Sequence, residues 1–211
     1  MAADAEHWNA VYGRREETSL TWYEAEAQRS FRQVSRLVGP GERVIDVGGG
    51  ASRLVDRLVA AGLGPVTVLD ISAAALDVAR ARLGAAASAV EWVEADVTRW
   101  RPERRYRLWH DRAAFHFLTD PADQRRYLVA MDAALEPGGH AILTTFAEDG
   151  PERCSGLAVR RWSPEALAEA VSSALPGRFA PVTAERFAHH TPGGAVQNFQ
   201  TSVFRKLPDA R

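Results

Sequence analysis

Apolar residues along this chain recur with two alternating periods. Short runs at 43–47 (β-branched), 66–69, 90–93 and 141–145 predict strands, and 108–110 the end of another between the last two. Between them, apolar positions return at helical spacing. Leu54, Val55, Leu58 and Val59 mark one face of a helix that Gly62 and Gly64 stop. Ser72 caps a second helix, which runs to Leu83 with Gly84 after it. Asp120-Pro121 starts a third, with Leu128, Met131 and Leu135 along one face, and Pro137-Gly138-Gly139 turns the chain into the next strand. Ser163-Pro164-Glu165 opens a fourth, closed by Pro176-Gly177. Two last strand segments, 182–188 and 197–205, are joined by Thr191-Pro192-Gly193-Gly194. That link is too short for a helical crossover, so the pair is antiparallel. Strands alternating with helices predict an α/β fold, a mostly parallel sheet with helices on both faces. Residues 1–38 differ, being mostly helical with Trp8, Tyr12, Trp22 and Tyr23 spaced along them. They read as a helical extension, or lid, over a single domain at 39–211.

Composition narrows this without redirecting it. A chain of 211 residues, 46% hydrophobic and 25% charged, is sized for one large domain with a substantial core. A net charge of −1 provides no field to draw nucleic acid or an anionic membrane. Lys206 is the only lysine. The single cysteine, Cys154, excludes an intramolecular disulfide framework and a cysteine-rich zinc site. With no apolar signal region at the start and no apolar run long enough to span a bilayer, the expected location is cytoplasmic.

The candidate chemistry begins at residues 44–52, Val-Ile-Asp-Val-Gly-Gly-Gly-Ala-Ser. In an open parallel sheet, ligands bind beyond the carboxyl ends of the strands, near the switch in strand order. A glycine loop there lets backbone approach a ligand, and the helix that follows offers free N–H groups to an anion. The dinucleotide fingerprint would need glycine at position 53, which is Arg53. The pattern is instead Asp46-x-Gly48-x-Gly50-x-Ser52. Asp70 closes the second strand, 24 residues after Asp46, where an acid can accept both hydroxyls of a ribose. Asp96 closes the third, placed to accept from an adenine amine. Three acids at three successive strand ends each have a distinct part of one nucleoside to hold. The plain alternative is that Asp46 caps a turn, Asp70 begins a loop and Asp96 is solvated.

These motifs, with Val-Leu-Asp-Ile-Ser at 68–72, Glu-Ala-Asp-Val at 94–97 and Leu-Glu-Pro-Gly-Gly-His at 135–140, resemble the class I S-adenosylmethionine-dependent methyltransferases over essentially the whole chain. The resemblance implies a Rossmann-like seven-stranded sheet whose last strand inserts antiparallel beside the sixth. It places Gly48 and Gly50 beside the methionine part of S-adenosylmethionine, with Asp46 and Ser52 in the same loop. Asp70 would hold the ribose, Ile71 the adenine face, and Asp96, with Val97, the adenine amine. Ser52 departs from the third glycine that many members carry. The Gly-x-Ser variant with upstream aromatics is similar to the lysine methyltransferases of elongation factor 1A and of citrate synthase. Aromatic N-terminal segments are also found in the thiopurine and trans-aconitate methyltransferases, and there the N-terminal helices cover the cofactor; Trp22 is the aromatic assigned to it here.

The segment 108–118, Leu-Trp-His-Asp-Arg-Ala-Ala-Phe-His-Phe-Leu, follows the fourth strand, where the transferable methyl should lie. His110 is the first candidate base or orienting group, histidine being the residue type most often used to move protons near neutral pH. Asp111 is expected to face the cofactor beside it, and His116 to be a third catalytic candidate of more structural character. Arg112 would pair with Asp111 or hold an anionic substrate. His110 and His116 are six apart, not the four that places two ligands on one helix face, so no metal is expected. The polar loop at 146–157 lies over the ligand-binding edge, Cys154 fills space in it, and His189 reads as an ordinary exposed turn residue.

The leading function is methyl transfer by in-line displacement to a nucleophile on a small molecule. The alternatives are protein lysine methylation and a non-catalytic S-adenosylmethionine-binding regulatory domain. Against the lysine reading, the segment after the fourth strand lacks the Asp-Lys-Gly-Thr-Leu-Asp type of those enzymes. Nucleic-acid adenine methylation is disfavoured by the absence of Asn-Pro-Pro-Tyr and of basic excess, and a nicotinamide oxidoreductase by Arg53.

Overall fold

A computed structural model describes residues 5–14 and 16–208. The described strands are β1 (Pro40–Val47), β2 (Gly64–Asp70), β3 (Val90–Glu94), β4 (Tyr106–Arg112), β5 (Leu135–Phe146), a two-residue hairpin β6 (Arg153–Cys154) and β7 (Leu157–Ala158), β8 (Phe179–His190) and β9 (Val196–Lys206). The helices are α1 (Ala5–Arg14), α2 (Gln28–Ser35), α3 (Leu54–Ala60), α4 (Ala73–Leu83), α5 (Pro121–Ala134) and α6 (Pro164–Ala174). Seven strands form one sheet in the order β3-β2-β1-β4-β5-β9-β8, parallel from β3 to β5, with β9 antiparallel to both β5 and β8. The order reverses between β1 and β4, the position at which such sheets open a crevice for ligands.

The strands read as continuous apolar runs because both of their faces are buried. Val44, Leu108 and Ile142 pack on one face with Val34 of α2, Leu54 and Leu58 of α3 and Leu76 of α4. Their neighbours Ile45, Trp109, Ala141 and Leu143 point the other way, into Tyr127 and Met131 of α5 and Leu167 and Val171 of α6. The helix starts follow the capping residues: Ser72 Oγ accepts from Ala75 N, Asp120 from Ala122 N, and Ser163 Oγ from Ala166 N.

Two local expectations are modified. Residues 137–139, expected as a turn, lie within β5. Tyr106 pairs with Leu135 and Leu108 with His140, so β5 carries three extra residues as a bulge, with Gly138 at φ +79°. The polar loop after β5 is also not structureless, since β6 and β7 fold it back on itself. At the other end, α1 lies against α4, where Asn9 Oδ1 accepts from Ser72 Oγ (2.7 Å) and Ala74 N (3.2 Å). That contact carries the aromatic N-terminal segment to the carboxyl edge of the sheet.

Candidate active site

The loop between β1 and α3 is built on backbone that only glycine adopts freely. Gly48 has φ +65°, and a Cβ there would lie 2.5 Å from the Cβ of Ala114. Gly50 has φ +43°, and its Cβ would meet Asp70 Oδ2 at 2.9 Å. Ser52 closes the loop: its N–H donates to Gly49 O (2.7 Å) and its Oγ accepts from Leu54 N (3.1 Å). The serine therefore holds the start of α3.

Beneath this loop lies a residue that no local pattern marks. Arg82, in the last turn of α4, donates to the carbonyls of Ala51 (3.0 Å) and Ser52 (2.8 Å) and pairs with Glu17 (2.7 Å) and Asp56 (2.7 Å). Its side chain is only 13% exposed. Glu17 also pairs with Arg53. One guanidinium thus ties together the N-terminal segment, the glycine loop and α3.

Over the carboxyl ends of the strands lies a cavity of about 930 Å³, measured to its open mouth. On its β2–β3 side the wall includes Asp70, Ile71, Asp96 and Val97, with Gly48 below. Asp70 is buried and accepts from Ser72 N at 2.8 Å; burial, with the charge of Asp46 adding to it, pushes its carboxyl up to about 7. Asp96 is half-buried and accepts from Thr98 N (2.9 Å) and Oγ1 (2.7 Å). The N-terminal segment supplies Trp8, Tyr12 and Trp22 to the wall, with the Trp8 and Trp22 rings edge to face at 5.8 Å. Burial raises the Tyr12 phenol well above its ordinary value.

The four residues at 110–112 and 116 go to four different places. His110 and Asp46 are paired neighbours on β4 and β1, and Nδ1 of the one lies 2.7 Å from Oδ1 of the other. The imidazole lines a second, smaller cavity of about 580 Å³ under Trp22, together with Asp46, Gly49 and Ser52. It is absent from the wall of the larger one. His110 Nε2 and Asp46 Oδ2 are both buried without a protein partner.

Asp111, expected to face the cofactor, turns into the core instead. It accepts from Ala114 N (2.9 Å), Phe115 N (3.0 Å) and the Tyr127 hydroxyl (2.5 Å). Burial raises its carboxyl to about 6 despite those donors. With both oxygens occupied and no exposure, Asp111 braces the turn after β4 against Tyr127. His116 is also fully buried, accepting weakly from Phe146 N (3.3 Å) through Nδ1, and burial with the nearby Arg112 charge lowers it to about 3. It stays neutral and is itself part of neither cavity wall, standing behind the wall residues Phe117 and Phe146.

Arg112 does not pair with Asp111. It donates to Trp22 O (2.9 Å) and to Glu24 (2.8 Å), and so fastens the Trp22 strap to β4. His189 completes the fastening: it is buried at the end of β8, with Nε2 2.8 Å from Thr21 O. Burial would raise Glu24, but the hydrogen bond from His189 and the Arg112 charge outweigh it and hold that carboxyl below its ordinary value. The expectation of an exposed turn at His189 is therefore corrected. No group of three metal-ligating side chains occurs among the described residues.

Residues 44–139 match a family model described as a methyltransferase domain. Over that segment the chain is similar to methyltransferase domains. No curated protein matches it in sequence, but solved structures match across its length. The Burkholderia thailandensis 1,6-didemethyltoxoflavin-N1-methyltransferase, bound to 1,6-didemethyltoxoflavin and S-adenosylhomocysteine, is 23% identical with a TM-score of 0.71, over 99% of this chain and 92% of that one. A structure concerned with conversion of a disulfide bond into a thioacetal group during echinomycin biosynthesis gives 18% and 0.75, over 98% and 94%. The N-methyltransferase NodS from Bradyrhizobium japonicum WM9, bound to S-adenosylhomocysteine, gives 15% and 0.69, over 97% and 99%. At these identities the likeness is one of fold, and the chain places its two cavities where that fold opens. No helix among its described residues is long and apolar enough to cross a membrane.

Proposed function

We propose that this protein is a methyltransferase that moves a methyl group from S-adenosylmethionine to a small molecule in the cytoplasm. The observation that carries the reading is the large cavity itself, with Asp70 and Asp96 at two adjacent strand ends beside a loop in which a Cβ at Gly48 would strike Ala114. The residues fit the donor. Asp70 accepts the ribose hydroxyls, Ile71 packs on the adenine, and Asp96 and Val97 receive its amino edge. The free Oδ2 of Asp46, buried in the adjoining polar cavity, suits an ammonium such as that of the methionine part. Gly48 and Gly50 let backbone come close to that part, and Trp22 lies over it. When bound, the sulfonium supplies an electrophilic methyl, and the protein supplies alignment and exclusion of water.

The neighbours support a small acceptor: by their printed descriptions, one is an N1-methyltransferase of 1,6-didemethyltoxoflavin and another a glycopeptide N-methyltransferase. Trp22 of the strap and Cys154 of β6 both stand in the cavity wall. His110, held by Asp46 and facing the smaller cavity, takes the part of a fixed wall and not of a base.

The reading is tested by melting the protein with S-adenosylhomocysteine, NAD or NADP at about a hundred times a micromolar affinity. A ligand bound only by the folded state at that excess adds about 2.7 kcal/mol, which is about 5–11 °C for a chain of this size. The shift is expected with S-adenosylhomocysteine alone. A shift with the nicotinamides, or none with S-adenosylhomocysteine, rejects the reading.

A further inference from the structure

The large cavity has two chemically different halves. The sheet order puts β3, β2 and β1 on one side of the switch and β4, β5 and β9 on the other. Both carboxylates of the wall, Asp70 and Asp96, lie on the β2–β3 side. The opposite half is a small apolar cluster separate from the two cores, Phe146, Cys154 and Phe199, with Trp22 and Phe117 packed against it. Phe146 and Phe199 lie 4.7 Å apart at 58°, and Phe117 meets Trp8 edge to face at 5.0 Å.

The polar groups of this half are already committed. Arg112 is held by Glu24 and the Trp22 carbonyl and lies 5.5 Å over the Phe199 ring, so its charge is neutralised before any substrate arrives. Burial pushes the Cys154 thiol up to about 12, so it is a neutral wall atom at physiological pH. Gln197 brings an uncharged amide to the β9 side of the wall. No imidazole and no further carboxylate lines the cavity among the described residues: His110 faces the other cavity, and His116 and Asp111 face the core.

An acceptor bound here must therefore bring its own lone pair. Alkylamines and phenols ionise near about pH 10, so at neutral pH each would need a base to take its proton. A carboxylate or thiolate would have only the sulfonium for a counterion, because the one cationic side chain of the wall among the described residues, Arg112, is already held by Glu24. A ring nitrogen with an imidazole-like pKa of about 6.5 or lower is mostly unprotonated and needs neither. Flat rings also suit walls of offset and edge-on aromatics.

We propose that the acceptor is a neutral, planar heteroaromatic compound, methylated on a ring nitrogen with no protein base. The inference rests on the S-adenosylmethionine reading above. The nitrogen lone pair forms the N–CH3 bond as the S–CH3 bond breaks and its electron pair returns to sulfur. The positive charge passes from sulfur to the ring, and S-adenosylhomocysteine leaves. A ring that carries an exchangeable proton loses it to water afterwards. The aromatic faces, which attract cations, line the half of the cavity in which that charge arrives.

The test has two stages. Calorimetry first measures S-adenosylhomocysteine binding, and no binding there rejects the cofactor reading itself. With binding established, quinoline, benzimidazole and a pteridine are compared with 2-naphthol, phenethylamine and benzoic acid. Two readouts are used: quenching of tryptophan fluorescence in the S-adenosylhomocysteine-loaded protein, and transfer of labelled methyl. The heteroaromatics are expected to bind and to accept methyl, with kcat/KM rising with pH only through each probe's own ring pKa. Phe199→Leu is expected to lower kcat/KM about tenfold while leaving S-adenosylhomocysteine affinity within about twofold, and Gln197→Ala provides a second probe outside the aromatic cluster. Preferential transfer to the naphthol, amine or acid overturns the proposal, as does failure of every heteroaromatic to bind or to be methylated.

Discussion

Asp70→Asn is expected to bind S-adenosylhomocysteine about a hundredfold more weakly than the native protein at pH 8, as two charge-assisted hydrogen bonds to the ribose become ordinary ones. The native affinity should itself depend on pH. The buried carboxyl sits at about 7, and ribose hydroxyls donate to its ionised form. Binding therefore tightens as pH rises through that value, and at pH 6, one unit below it, about a tenth of the carboxyl is ionised, which weakens binding about tenfold. Asp70→Asn removes this dependence. Folding moves in the opposite sense. An acid raised on folding favours the folded state only while it is protonated, so Asp70 withdraws stability as pH rises from its ordinary value, near 3.8, to about 7. The ligand-free variant should accordingly melt no lower than the native protein at pH 8. Calorimetry at pH 6, 7 and 8 on both proteins decides the matter, and an affinity flat with pH in the native protein would remove Asp70 from the ribose site.

Arg82→Ala should be the most destabilising single change in the site. The guanidinium satisfies Glu17, Asp56 and two loop carbonyls from a position 13% exposed. Removing one partner of a buried pair strands the other charges, at a cost of about 3 kcal/mol here because Asp56 keeps some contact with water. That corresponds to a melting temperature about 6–12 °C lower. The loop carrying Gly48 and Gly50 loses its anchor, so S-adenosylhomocysteine binding should also weaken, by about tenfold. Arg82→Lys keeps the charge but not the fork of donors and should recover stability more than affinity. If thermal melts and titrations of Arg82→Ala match the native protein, the clamp beneath the loop has no energetic role.

What could be read along the chain was what local chemistry decides. The order of strands and helices followed from apolar period, since a strand buried on both faces and an amphipathic helix repeat differently. Gly48 and Gly50 stood out because their backbone geometry excludes other residues, and Asp70 and Asp96 because strand ends are where this class of sheet opens. The destinations of the side chains at 110–116 were not local facts. Alternation along β4 puts His110 and Asp111 on opposite faces, but it does not say which neighbour claims each. Asp111 was taken by Tyr127, 16 residues on, and Arg112 by Glu24, 88 residues back. Arg82 had no mark at all on its helix, because its partners come from the N-terminal segment, the glycine loop and α3. An ionisable group buried on folding goes to the partner that compensates its desolvation, and only the packed chain determines which partner is within reach.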